Sequence, residues 1–73
     1  MKTYDLHGKT LEEALIFVEY IIGQIRLSGK SQTIKVITGR GIIREKLTGY
    51  LESQNIQWEF EWGNDATFII EID

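Results

Sequence analysis

The chain has 73 residues, 42% hydrophobic and 26% charged, a composition that fits one small globular domain spanning residues 1–73 and excludes a disordered chain. It has no cysteine and one histidine, which rules out disulfides, thiolate metal centres and a structural zinc site of the usual kind. A net charge of -3 argues against binding nucleic acid over the whole surface, and no stretch approaches the about 20 apolar residues that cross a bilayer, so a soluble, cytoplasmic protein is expected.

The first element is a short strand in Lys2-Thr3-Tyr4-Asp5-Leu6, where Tyr4 and Leu6 alternate with Thr3 and Asp5 before Gly8. Thr10-Leu11-Glu12-Glu13 is a capping box, so a helix starts at Leu11. Leu11, Ala14, Leu15, Val18, Ile21, Ile22 and Ile25 recur at three- and four-residue intervals, Phe17 widens the face, and Ser28-Gly29 stop the helix. At 1.5 Å per residue it is about 25 Å long, enough to cover a small sheet.

Thr33-Ile34-Lys35-Val36-Ile37 is a β-branched second strand that runs into the loop Thr38-Gly39-Arg40-Gly41. Ile43, Leu47, Tyr50 and Leu51 then keep a helical period to the end of a second helix near Ser53-Gln54-Asn55. Gly49 inside it weakens the helix by about 1 kcal/mol relative to alanine, unless close packing requires it. Ile56-Gln57-Trp58-Glu59-Phe60-Glu61-Trp62 alternates strictly, which is a strand with its large apolar groups on one face. That alternation assigns Trp58 and Trp62 to the core in preference to base stacking. Gly63-Asn64-Asp65 reads as a turn, and Phe68, Ile70 and Ile72 alternate in a last strand that makes a hairpin with the one before.

The order β-α-β-α-β-β predicts a parallel pair for the first two strands and an antiparallel terminal hairpin. The fold class is an α/β two-layer sandwich, with a four-stranded mixed sheet and two helices on one face.

Charge is unevenly spread. Residues 24–46 carry Arg26, Lys30, Lys35, Arg40, Arg44 and Lys46 against Glu45 alone, while residues 47–73 carry Glu52, Glu59, Glu61, Asp65, Glu71 and Asp73 and no basic side chain. Such polarity suggests one surface that faces an anion and one that repels it, unless the charges merely solubilise helix and strand faces.

Two clusters are left once the core is assigned. Asp5-Leu6-His7-Gly8 follows the first strand and Thr38-Gly39-Arg40-Gly41 the second, so parallel strands bring both to the end of the sheet where open α/β sheets bind ligands. The amino ends of both helices emerge there and offer N–H groups to an anion. Asp5 and His7, two residues apart, project from one face of an extended segment. Either the carboxylate fixes the imidazole for proton transfer, or Asp5 bonds the loop backbone and His7 helps to cap the helix. Gly39 and Gly41 permit close backbone approach, and Arg40 between them presents a donor fork to a phosphate. The loop matches neither the P-loop spacing nor a dinucleotide fingerprint, and an ordinary strand-to-helix turn remains the alternative.

Asp5-Leu6-His7-Gly8, followed by Thr10 and Glu13-Ala14, resembles the Asp-Leu-His-Gly signature of the Smr (small MutS-related) domain. Ile37-Thr38-Gly39-Arg40-Gly41 is similar to that family's second signature, His/Thr-Gly-x-Gly after a hydrophobic strand. The resemblance covers nearly the whole chain and implies a fold similar to the C-terminal domain of bacterial translation initiation factor three. Smr domains occur alone or appended to MutS2-type and other proteins; they bind nucleic acid, and many nick DNA or cleave RNA. The resemblance implies that Asp5 and His7 are catalytic and that Thr38, Gly39, Arg40 and Gly41 contact phosphate. The chain departs from the family pattern in its turn Gly63-Asn64-Asp65-Ala66, where a glycine-rich segment is common and where Asp65 would repel a phosphate. Ile43-Arg44 stands in place of the usual Leu-Arg.

The expected function is an endonuclease on RNA or structured DNA. For RNA, His7 would act on the 2′-hydroxyl with no metal required; for DNA, an activated water and a magnesium ion on Asp5 come into play. Gly8 is a further candidate for phosphate contact, and the alternative function is a non-catalytic nucleic-acid or ribosome-binding module that grips phosphates through Lys9, Arg40, Arg44 and Lys46 with strong salt dependence. A protein-interaction module using the acidic strand face is the third possibility.

Overall fold

The computed structural model describes all residues, Met1–Asp73. The elements are β1 (Thr3–Asp5), α1 (Leu11–Ser28), β2 (Gln32–Ile37), α2 (Ile42–Ser53), β3 (Gln57–Glu61) and β4 (Asn64–Ile72). This is the order expected from periodicity. The sheet runs β1-β2-β4-β3, with β1 parallel to β2 and β4 antiparallel to both of its neighbours.

α1 begins at its capping box. The Thr10 hydroxyl accepts from the Glu13 N–H at 3.1 Å, and the Glu13 carboxylate accepts from the Thr10 N–H at 2.9 Å. These bonds hold the Glu13 carboxyl below its usual range. The helix ends where Gly29 turns left-handed (φ 73°), a conformation that glycine enters without a Cβ clash. Ala14, Val18, Ile22 and Ile25 of α1 and Ile43, Leu47 and Leu51 of α2 are buried in one cluster with Ile34, Val36, Phe68, Ile70 and Ile72. Those sheet residues share one pleat face, so both helices cover that face and the other meets solvent.

The hairpin departs from expectation in a way that shapes the site. The turn is Trp62-Gly63, and Asn64 and Asp65 belong to β4. Gly63 has φ 74°, so the left-handed residue of the turn falls one place after Trp62. Trp62 is therefore 97% exposed and is not core, whereas Trp58 packs against the core as expected. The alternation rule fails at Trp62 because the strand stops at Glu61, and past a strand's end the pleat no longer decides where a side chain points. The register also slips. Phe60 pairs with Phe68 but Glu61 pairs with Asn64, so Asp65, Ala66 and Thr67 bulge out with no partners on β3.

No helix is long and apolar enough to cross a membrane. A Cβ at Gly49 would meet nothing within 4 Å, so close packing does not explain that glycine.

Candidate nucleic-acid interface

The carboxyl ends of β1 and β2 do open on the same end of the sheet. Asp5 pairs with Ile37, and the Leu6 N–H donates to the Ile37 carbonyl at 2.7 Å, which ties the two following loops together. The chain then turns through His7 and Gly8, with the Lys9 N–H donating to the Leu6 carbonyl at 3.1 Å and Gly8 at φ 88°. Gly8 thus serves the turn, because a side chain there would be strained. A Cβ on Gly39 (φ 74°) would lie 3.8 Å from the His7 Cβ, so the two loops touch at these residues.

Asp5 Oδ1 accepts from the His7 backbone N–H at 3.0 Å and lies 2.8 Å from His7 Nδ1. An ionised carboxylate only accepts, so Nδ1 carries a proton and Nε2 of the neutral ring keeps its lone pair. The two bonds from His7, side chain first, hold the Asp5 carboxyl below its usual range and keep it ionised. Both alternatives for Asp5 therefore hold at once: it fixes the imidazole and also braces the loop. His7 does not cap α1, since Thr10 does. The side chains of His7 and Asp5 are 71% and 52% exposed, so the pair meets solvent directly.

The second loop is anchored from β4. The Ala66 carbonyl accepts from the Thr38 N–H at 2.8 Å, the Gly39 N–H at 3.2 Å and the Thr38 hydroxyl at 3.2 Å. Thr38 is buried, with its hydroxyl 2.9 Å from the Gly39 carbonyl as well, so its side chain faces the fold and not a ligand. Gly41 precedes α2, whose first turn has no side-chain cap. The amino end of α2 is therefore open to an anion, whereas at the amino end of α1 the capping box occupies the Thr10 and Glu13 N–H groups and adds a carboxylate, which makes it the less favourable of the two for an anion.

Arg40 and Arg44 meet at Asp65. Arg40 Nε donates to Asp65 Oδ1 at 2.7 Å, and Arg44 Nη1 donates to Oδ2 at 3.0 Å. The arginines, Arg40 foremost, hold the Asp65 carboxyl below its usual range. Arg44 also lies over the Phe60 ring, 5.9 Å from its centroid. Asn64, read from the sequence only as a turn residue, stitches the bulge that presents Asp65: its amide donates to Thr67 Oγ1 at 3.1 Å and its oxygen accepts from the Ala66 N–H at 3.1 Å. An Asn followed by small residues signals such a loop only weakly.

Lys9 folds back over Phe17, 5.7 Å from the ring centroid. Lys46 is exposed and forms no ion pair; two residues beyond Arg44, it lies about 200° further round α2 and does not join Arg40 and Arg44. No three His, Asp or Glu side chains gather where a metal ion could sit. Asp5 offers one free oxygen, since both of its bonds fall on Oδ1. These residues do not form a magnesium site by themselves.

The fold and this sheet end define a small α+β domain that carries a carboxylate-locked imidazole beside an arginine-bearing glycine loop. The Smr domain model matches residues 4–71, and the chain belongs to that family. It is similar in structure to the Smr domain of Thermus thermophilus MutS2, with a TM-score of 0.84 and 22% identity over 100% of this chain and 99% of that one. It is also similar to the B3BP Smr domain, with a TM-score of 0.79 and 22% identity over 97% of this chain and 77% of that one. At these identities the likeness is one of fold. A search of curated proteins finds no match by sequence.

Proposed function

We propose that the domain is a nucleic-acid-binding endonuclease that cleaves RNA at the His7 end of the sheet. What carries this reading is the bond between Asp5 Oδ1 and His7 Nδ1, at 2.8 Å, which leaves Nε2 as a base on the open surface. Nε2 takes the proton of a ribose 2′-hydroxyl, the freed oxygen attacks the adjacent phosphorus, and the bond from phosphorus to the 5′-oxygen breaks. The leaving oxygen takes a proton from a water molecule, and the imidazolium returns its own proton to the hydroxide so formed, which restores Nε2. Arg40 keeps both Nη groups free for the phosphate, since its bond to Asp65 uses Nε, and the uncapped N–H groups of α2 lie beside it. On DNA, which lacks the 2′-hydroxyl, the same end would need an activated water, and a magnesium ion would have to be held mainly by substrate oxygens and water.

The second reading is a binding module without catalysis, on RNA, DNA or the ribosome. It is favoured by the exposure of the Asp5/His7 pair, because catalytic electrostatics are strongest where water is excluded. Labelled single-stranded RNA, hairpin RNA and branched DNA, incubated in magnesium or in EDTA, separate the readings when the His7→Ala protein runs alongside. Cleavage of RNA in EDTA that His7→Ala abolishes, with binding kept within a few fold, is the expected result. Retained cleavage in His7→Ala would overturn the assignment, and binding without cleavage of any substrate would establish the module.

A further inference from the structure

The most exposed large hydrophobic side chain in the molecule is an aromatic one, and it stands at the same end of the sheet as His7. Trp62 is 97% exposed, so both faces of the indole are open. It does no packing for the fold. The turn requires glycine at Gly63 but places no demand on the residue before it, and an exposed indole there contributes nothing to folding that a polar residue would not.

The register fixes where Trp62 lies. Tyr4, Val36, Phe68 and Phe60 form one row across the four strands, and the chain runs on from that row to His7 on one side and to Trp62 on the other. Four adjacent strands span about 14 Å. A shallow groove of ≈ 570 Å³ opens beside the loop after β2 and the end of β3, lined by Arg40, Arg44, Glu45, Phe60 and Asp65 among other residues. Of the three acids within three residues of Trp62, Glu61 is paired with Lys35 and Asp65 with both arginines, which reduces their repulsion of a phosphate backbone, and Glu59 alone carries an unpaired charge.

We propose that Trp62 is a stacking platform for an unpaired nucleobase, and that the substrate is accordingly single-stranded at a position a few nucleotides from the phosphate held beside His7. This rests on the nucleic-acid reading above and specifies its substrate class. A base within a duplex has both faces covered by its neighbours, so only an unstacked base can lie on the indole. The strand crosses the end of the sheet with its phosphates over the arginine groove and one base on Trp62.

The test compares Trp62→Ala and Trp62→Phe with the unmodified protein, measuring affinity for a single-stranded oligoribonucleotide and for its blunt duplex by fluorescence anisotropy. Trp62→Ala should weaken single-strand binding by about 5- to 100-fold, Trp62→Phe by less, and neither should change duplex binding. In a Trp58→Phe background, where Trp62 is the sole tryptophan, the single strand should quench its emission. Unchanged single-strand affinity in Trp62→Ala, or an equal loss on the duplex, overturns the proposal and leaves the nucleic-acid reading standing. Failure of the unmodified protein to bind either oligonucleotide overturns both.

Discussion

Arg40 donates to Asp65 through Nε at 2.7 Å, so the arginine of the glycine loop is held by an acid 25 residues away in sequence. The arrangement has two opposed effects on an incoming phosphate. It orients the guanidinium with its Nη groups free, and it subtracts one charge from the only cluster of basic side chains at this end of the sheet.

Replacing Asp65 with Asn keeps the shape of the side chain and removes the charge. Nucleic-acid affinity at low ionic strength should rise several-fold, with a steeper fall as salt is added, because two arginines then release counterions where one charge was cancelled before. Titration by anisotropy at several salt concentrations checks this. A weaker complex would show that orientation outweighs charge.

Asp5→Asn leaves an amide that can still brace the loop but no longer holds a charge beside Nδ1. The His7 tautomer is then free to reverse, and the imidazolium formed during proton transfer loses its counter-charge. The single-turnover rate of RNA cleavage should drop by about 10²-fold or more while affinity changes little.

Thr38→Val removes a buried hydroxyl without changing side-chain volume much. The Ala66 carbonyl keeps its two N–H donors, while the Gly39 carbonyl loses the hydroxyl that lies 2.9 Å from it. Urea unfolding should report about 1–2 kcal/mol of lost stability.

Gly49 is exposed inside α2 and a Cβ there meets no atom within 4 Å. Gly49→Ala should therefore stabilise the protein by about 0.5–1 kcal/mol, through higher helix propensity and a less flexible unfolded chain. A higher urea midpoint with an unchanged slope is the expected signature.

Acid should weaken the fold at the sheet end first. Asp5 is depressed by His7, Glu13 by Thr10, Glu61 by Lys35 and Asp65 by Arg40. A group whose folded pKa lies below its unfolded value binds more protons when unfolded, so stability rises with pH through that interval. Their contribution is complete above the ordinary carboxylate values of about 4 and is lost as pH falls through the lower folded values. Asp5, Glu13 and Asp65 are exposed and Glu61 is half-buried, so each effect is small and screened by salt. Unfolding midpoints measured at stepped pH, for the parent and for Asp65→Asn, resolve the share of the Asp65 pairs.

Periodicity and capping made most of the fold legible. Thr10 and Glu13 mark the start of α1, the spacing from Ala14 to Ile25 marks its buried face, and the paired loops after Asp5 and Ile37 follow from parallel strands. These features depend on local geometry, in which 3.6-residue and two-residue repeats and cap hydrogen bonds join neighbours in sequence. The charge map was misleading for a related reason. Basic residues of the middle third and acids of the last third look like separate surfaces, yet β4 lies beside β2 and brings Asp65 to Arg40 and Arg44, and Lys35 of β2 reaches across β4 to Glu61 of β3.

The sequence by itself determined the element order, the core faces, the Asp5/His7 spacing and the family signature. Tertiary structure alone decided that Thr38 turns inward, that Asp65 holds two arginines and that Trp62 is bare. Each of these depends on a contact, or the lack of one, between segments whose separation is set by strand pairing and by a three-residue bulge, Asp65 to Thr67. A register slip moves side chains relative to a neighbouring strand without altering the alternation within either strand, so no pattern along the chain records it.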